Sequence, residues 1–268
     1  MPLAKAGQIE LSYDRAGEGP PLLLIMGMSG TKHHWGERVL EQLRGDFETI
    51  VYDHRDAGDS TRTGEPFTIV DLAADAAGLL DALGLQSAHV MGISMGGMIA
   101  QELALAHPEK IASLTLGCTY CGGEGSVLTS ESVMRRLAEA MSSGDRATAI
   151  RAAWEINVSP SFAANQDEYD RFLKNGMKYG LPVEVIMRQM QAIAGHDTST
   201  RLPNLRPPTL VVHGTLDELL PVHNGHMIAG LVPDARLEIL EGIGHMFFLE
   251  QPERTAELVR EHAAVVNV

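Results

Sequence analysis

Three side chains of this sequence, Ser94, Asp217 and His245, have the types and local settings needed to make an alcohol attack a carbonyl. A serine hydroxyl is a weak nucleophile until a base takes its proton. The base in turn needs an anion that fixes its tautomer and balances its developing charge. Ser94 lies in Gly92-Ile93-Ser94-Met95-Gly96-Gly97, where a run that reads as a buried strand turns sharply into a helix. Such a turn holds the serine in a strained backbone with Oγ pushed clear of the strand ends. A Cβ at Gly92 or Gly96 would crowd the approach of helix to strand.

Asp217 follows the apolar run Thr209-Leu210-Val211-Val212-His213, and His245 sits in the glycine-framed loop Gly242-Ile243-Gly244-His245 after a second run. Catalytic groups of open α/β sheets collect at the carboxyl ends of strands, where both residues are expected. Glu218 is adjacent to Asp217 and reads as a surface turn carboxylate. The chain has 11 histidines, so chain order and strand-end position single out His245. His89 reads as a packed core residue. His33, His34, His107, His223, His226 and His262 read as surface or loop residues, and His196 as a solvated loop residue, with lining of a pocket as its alternative.

Acyl chemistry also needs two N–H donors aimed where the oxyanion develops. One is expected from Met95, at the start of the helix after Ser94, where the helix dipole assists. The other is expected from Met28, in the loop Gly27-Met28-Ser29-Gly30 after the apolar run Leu22–Met26. Packing of Met28 against the helix is the competing reading.

The elements that would position these groups alternate along the chain. Continuous apolar runs at 22–26, 49–53, 88–93 and 111–116 read as strands buried on both faces. Between them, Thr68 caps a stretch with helical spacing to Leu83, and a second helix runs from Met95 to about His107, where Pro108 stops it. This alternation predicts a mostly parallel, doubly wound sheet. From Gly122 to Arg206 the strand pattern stops, and helical stretches appear at 131–142, 145–156, 167–178 and 182–194. The expected organisation is therefore an α/β core formed by residues 1–121 and 207–268, interrupted by a helical cap at 122–206.

A chain of 268 residues can build a large core without disulfide or metal staples. A net charge of −14, with no basic cluster, argues against nucleic acid and anionic membranes as partners. The N-terminus lacks a signal-peptide pattern and no run is long enough to span a bilayer, so a cytoplasmic protein is expected. Cys118 and Cys121 form C-x-x-C without a thioredoxin-like context or further soft ligands. They read as small residues lining a loop, and no metal or cofactor is expected.

With Gly27-Met28, Asp53-His54-Arg55 to Ser60, Gly92-Ile93-Ser94-Met95-Gly96-Gly97, Gly214-Thr215-Leu216-Asp217 and Gly244-His245 in hand, the chain resembles the α/β-hydrolase superfamily over essentially its full length. The stretch Tyr52 to Ser60, with Asp56 where many relatives carry glycine, is similar to that of aclacinomycin methylesterase-type hydrolases. The loop after the first buried strand and the helical insertion resemble those of 3-oxoadipate enol-lactonases and bacterial carboxylesterases. The resemblance implies an α/β-hydrolase fold and a cofactor-free serine hydrolase that cleaves small carboxylic esters or lactones through an acyl-enzyme. Haloalkane dehalogenases and epoxide hydrolases of this fold carry an aspartate nucleophile where this chain has Ser94, which argues against their chemistry. Carbon–carbon hydrolysis, perhydrolase or haloperoxidase activity and a receptor-like ligand-binding role are the alternatives. Trp35, Trp154, Phe162, Phe172 and Met187 are candidates for the substrate pocket, with packing inside the cap as the competing reading for the last four. The assembly state stays open, a homodimer included.

Overall fold

The computed structural model describes residues 2–267. The chain opens with a hairpin of β1 (Leu3–Ala6) and β2 (Ile9–Ala16). Strands and helices then alternate: β3 (Pro21–Ile25), α1 (Glu37–Arg44), β4 (Glu48–Tyr52), α2 (Ile69–Ala82), β5 (Ala88–Ile93), α3 (Met95–Ala106) and β6 (Ile111–Gly117). Five helices follow: α4 (Glu131–Ser142), α5 (Arg146–Asn157), α6 (Pro160–Ala163), α7 (Gln166–Tyr179) and α8 (Val183–Ala194). The sheet resumes with β7 (Thr209–Gly214), α9 (His223–Leu231) and β8 (Arg236–Leu240), and the chain closes with α10 (Phe247–Glu250) and α11 (Pro252–Ala264).

The eight strands form one sheet in the order β1-β2-β4-β3-β5-β6-β7-β8. Pairings of β2 with β1 and β4 are antiparallel, and the others are parallel. The chain goes from β3 outward to β4 and then crosses back to β5 on the other side of β3. Such a reversal marks the carboxyl ends of β3 and β5 as the place where open α/β sheets bind ligands.

Successive strand residues feed opposite cores, as a sheet covered on both faces requires. Leu23 and Ile25 of β3 join one cluster with Ile69, Leu72 and Leu79 of α2 and Met98, Ile99 and Leu103 of α3. Leu22 and Leu24 join the other with Leu43 of α1 and Leu258 and Val259 of α11. Each such side chain, fully withdrawn from water, contributes about 1.5–3 kcal/mol. Thr68 and Asp71 form a reciprocal capping box that starts α2, with Asp71 N 3.2 Å from Thr68 Oγ1 and Thr68 N 2.8 Å from Asp71 Oδ2.

Between β6 and β7 the chain is helical and free of strands among the described residues. Trp154, fully buried, organises part of this segment. Its ring lies 5.5 Å from Phe162, 6.2 Å from Tyr169 and 5.2 Å from Phe172, and its Nε1 donates to Ala163 O at 3.2 Å. The segment leaves and rejoins the sheet at neighbouring points. Thr198 N donates to Cys121 O at 2.8 Å. Gln101 of α3 ties both strands of that neck, donating to Tyr120 O at 3.1 Å and accepting from Thr198 Oγ1 at 2.5 Å.

Two histidines sit differently from the sequence expectation. His262 is buried in α11, with Nε2 3.0 Å from Pro208 O. His196 is buried at the end of α8, and neither ring nitrogen has a hydrogen-bond partner. Burial pushes the His196 pKa down to about 4, although Glu102 lies 3.9 Å away.

Candidate active site

Ser94 links β5 to α3 with φ 54° and ψ −124°, a backbone state that costs a non-glycine residue on the order of 1–3 kcal/mol. The surroundings fix it. Its N–H donates to Gly117 O at 2.9 Å, and its carbonyl accepts from Thr119 Oγ1 at 2.7 Å and from Gly97 N at 2.9 Å. A Cβ at Gly92 would overlap the carbonyl of Gly96, and one at Gly96 would overlap that of Ile25. Glycine at both positions therefore lets α3 lie directly on β3 and β5. The Ser94 side chain faces the loop after β3, where a Cβ on Gly27 would lie 3.6 Å from its Oγ.

Asp217 and His245 meet at the ends of β7 and β8. His245 Nδ1 lies 2.7 Å from Asp217 Oδ2, and both residues are buried. An ionised carboxylate only accepts, so the neutral imidazole carries its proton on Nδ1 and leaves Nε2 basic. The other carboxylate oxygen accepts from Leu219 N and Leu220 N, each at 2.9 Å. Burial works to raise the pKa of Asp217, but His245 and His213 outweigh it and hold the group well below the usual carboxylate range. Glu218 turns away to Arg136 of α4 at 2.8 Å. No hydrogen bond joins the Ser94 hydroxyl to the His245 ring; catalytic bonds of this kind often tighten only when substrate is bound.

His213 is a part of this site that the sequence reading did not pick out. Its buried Nε2 lies 2.6 Å from Leu220 O and 3.3 Å from Asp217 Oδ2. Both are acceptors, so the proton sits on Nε2 and is shared between them. The available signal was the four-residue spacing from His213 to Asp217 across the end of a strand. Gly225 leaves room for this ring, since a Cβ there would lie 2.8 Å from His213 Nδ1.

The amides of Met28 and Met95 donate to no protein acceptor. Met95 is buried at the first turn of α3, whereas the Met28 side chain is 38% exposed. The turn that carries Met28 is held from several sides. Ser29 has φ 65°, and Gly30 N reaches Gly27 O at 3.4 Å. Ser29 N donates to Gln189 Oε1 of α8 at 2.9 Å, a contact between distant parts of the chain that leaves no trace in local sequence. His54 Nε2 lies 2.9 Å from Met26 O, and Asp53 accepts from Lys32 N at 2.9 Å. Asp56 adopts φ 63°, where glycine is the easy residue, but its Oδ1 accepts from Gly64 N at 3.0 Å and its Oδ2 lies 3.6 Å from Arg188 of α8.

The remaining sequence candidates separate. Trp35 is fully buried in the core beneath α1 and α11, with its ring 5.2 Å from Phe248. Phe162 and Phe172 each pack on Trp154, and Met187 is 54% exposed. Cys118 and Cys121 are both free and buried. Cys118 Sγ and donor atoms of Asp217 and His245 lie within 4.8 Å of one another, the one such metal-capable cluster among the described residues. Burial, with Asp217 adding to it, raises the Cys118 thiol well above its ordinary pKa, which opposes the thiolate that a metal would need.

Residues 20–252 match the profile of the alpha/beta hydrolase fold family. The chain belongs to that family. It is 31% identical over 260 residues to "Putative carbamate hydrolase RutD" of Azorhizobium caulinodans, covering 97% of each protein. It is 29% identical to rhodomycin D methylesterase DnrP of Streptomyces peucetius, covering 92% of each. Among solved structures it is similar to Est816, described as an N-acyl homoserine lactone degrading enzyme, with a TM-score of 0.79, 27% identity and coverage of 97% of this chain and 99% of that one. The expected fold class and resemblance to esterase- and lactonase-type hydrolases thus stand. No helix among the described residues is long and apolar enough to cross a membrane.

Proposed function

We propose that the protein is a serine hydrolase of small carboxylic esters and lactones. The observation that carries this reading is the buried Asp217–His245 pair, 2.7 Å apart, at the same sheet end as the strained Ser94 turn. His245 Nε2 takes the Ser94 proton as Oγ attacks the carbonyl carbon. Asp217 holds the ring and stabilises the imidazolium. The amides of Met28 and Met95 receive the oxyanion, a contribution worth roughly 10²–10³ in rate for one donor. The leaving alcohol takes the proton from His245. Water, deprotonated by the same ring, then cleaves the acyl-enzyme and releases the acid. Residues 122–206 form a cap over the core of residues 1–121 and 207–268. The methylesterase and lactone-degrading relatives support this substrate class.

Carbamate hydrolysis is the second reading, favoured by the name of the 31% identical relative. It uses the same attack on a carbonyl that carries nitrogen, and parallel assays of ethyl carbamate and ethyl butyrate separate the two. The primary test is Ser94→Ala. Turnover of a short p-nitrophenyl ester should fall by at least about 10⁴-fold with the fold intact. A fluorophosphonate probe should label Ser94 in the parent protein alone. Retained turnover in the variant would refute the assignment.

A further inference from the structure

Gln189 lies on α8, is fully buried, and reaches the turn between β3 and α1 that carries Met28. The orientation of its amide is fixed by chemistry. Ser29 N–H is a donor, so the atom facing it at 2.9 Å must be the carbonyl oxygen Oε1. The amide nitrogen, on the same carbon, therefore sits beside that turn. It has no hydrogen-bond partner. Buried amide donors are almost always paired, and an orphan one calls for an explanation. The turn beside it adjoins the nucleophile, because a Cβ on Gly27 would lie 3.1 Å from Ser94 Cβ. Two contacts of the neighbouring Arg188 hold the helix there: its Nη1 donates to Gly64 O at 2.9 Å, and its Nη2 lies 3.6 Å from Asp56 Oδ2.

We propose that Gln189 is a specificity-determining residue: its Oε1 clamps the turn bearing Met28, and its amide nitrogen donates to a second acceptor oxygen of a substrate whose carbonyl sits at Ser94. The inference rests on the serine-hydrolase reading and narrows it to esters or lactones with an ether, keto or amide oxygen near the scissile carbonyl. A substrate lacking that oxygen leaves the donor unpaired in the closed site, which is how polar sites reject apolar analogues.

The test uses two isosteric pairs in which one methylene is replaced by oxygen. On the acyl side these are p-nitrophenyl methoxyacetate and p-nitrophenyl butyrate; on the alcohol side, 2-methoxyethyl butyrate and n-butyl butyrate. Gln189→Glu keeps an oxygen for Ser29 N and removes the donor, while Gln189→Met removes both. Comparing variant with parent within a pair cancels the intrinsic reactivity of the esters. For the pair whose oxygen reaches Gln189, the preference in kcat/KM should fall by about 10- to 100-fold in both variants. The all-carbon member should lose less turnover in Gln189→Glu than in Gln189→Met, which also frees the turn at Ser29. Equal effects on both members of both pairs, in variants that still label with fluorophosphonate, would overturn the inference and leave the hydrolase reading standing. A parent protein that neither labels nor turns over any of the four esters would overturn both.

Discussion

The carboxylate of the proposed triad is held by more than one imidazole. Asp217 Oδ2 receives His245 at 2.7 Å and His213 at 3.3 Å, while its other oxygen receives two backbone amides. A charge-assisted donor stabilises the anion, and the anion orients the base. His213→Leu should lower kcat for a short ester by about 10-fold with little change in KM, because the donor acts through Asp217 rather than on the substrate. His213→Gln, which keeps a donor, should recover part of the rate. Steady-state kinetics of the two variants check both outcomes. Asp217 and His245 were legible in sequence because each follows a strand-like run and lies by glycine. His213 was not, since a histidine inside a buried run reads as packing until its partners in space are known.

At the scale of elements, the strand–turn–helix around Ser94 depends on how closely α3 approaches β3. An added Cβ at Gly96 would meet three backbone atoms, the carbonyl carbon and oxygen of Ile25 and Met26 O, and none of these can swing aside as a side chain would. Gly96→Ala should cost about 1–3 kcal/mol or more, read as a lower urea midpoint. It should also slow fluorophosphonate labelling of Ser94 by displacing the turn. The core strands and α2 were legible from periodicity and capping residues. α1 and α9 were not. The apolar residues of α1, Val39, Leu40 and Leu43, fill barely two turns, and α9 carries glycine at 225 and 230. Such helices are stabilised by the sheet they cover rather than by intrinsic propensity. Trp35 shows the same limit: an aromatic beside the turn bearing Met28 suggested a pocket wall, but the start of α1 turns it into the core.

At the scale of the molecule, His196 is buried where the helical segment rejoins the core, against a cavity of ≈ 300 Å³ between the start of α2 and the end of α8. Burial lowers its pKa to about 4 from an ordinary 6.5, with Glu102 and Asp197 opposing that shift and Arg201 adding to it. Between those values the unfolded chain binds a proton that the folded chain does not, so stability rises with pH across that window. Acidification from pH 7 to 4 should therefore cost roughly 3 kcal/mol through this residue. His196→Leu should remove most of that loss, measured as a smaller difference between urea midpoints at the two pH values. Persistence of the full difference in the variant would show that the slope arises elsewhere.

The backbone bond between Cys121 and Thr198 makes the long excursion between β6 and β7 begin and end at a single point. A chain that departs and returns through one doorway imposes no length on what lies beyond it. The register of β6 against β7 is set by their own ladder, Leu114 to Thr209 through Gly117 to Val212. Helices exchanged between homologues at that doorway would leave the strand ladder beneath in register, provided α8 keeps its contacts to Ser29 and Gly64, which makes residues 121 and 198 the natural splice points for building chimaeras.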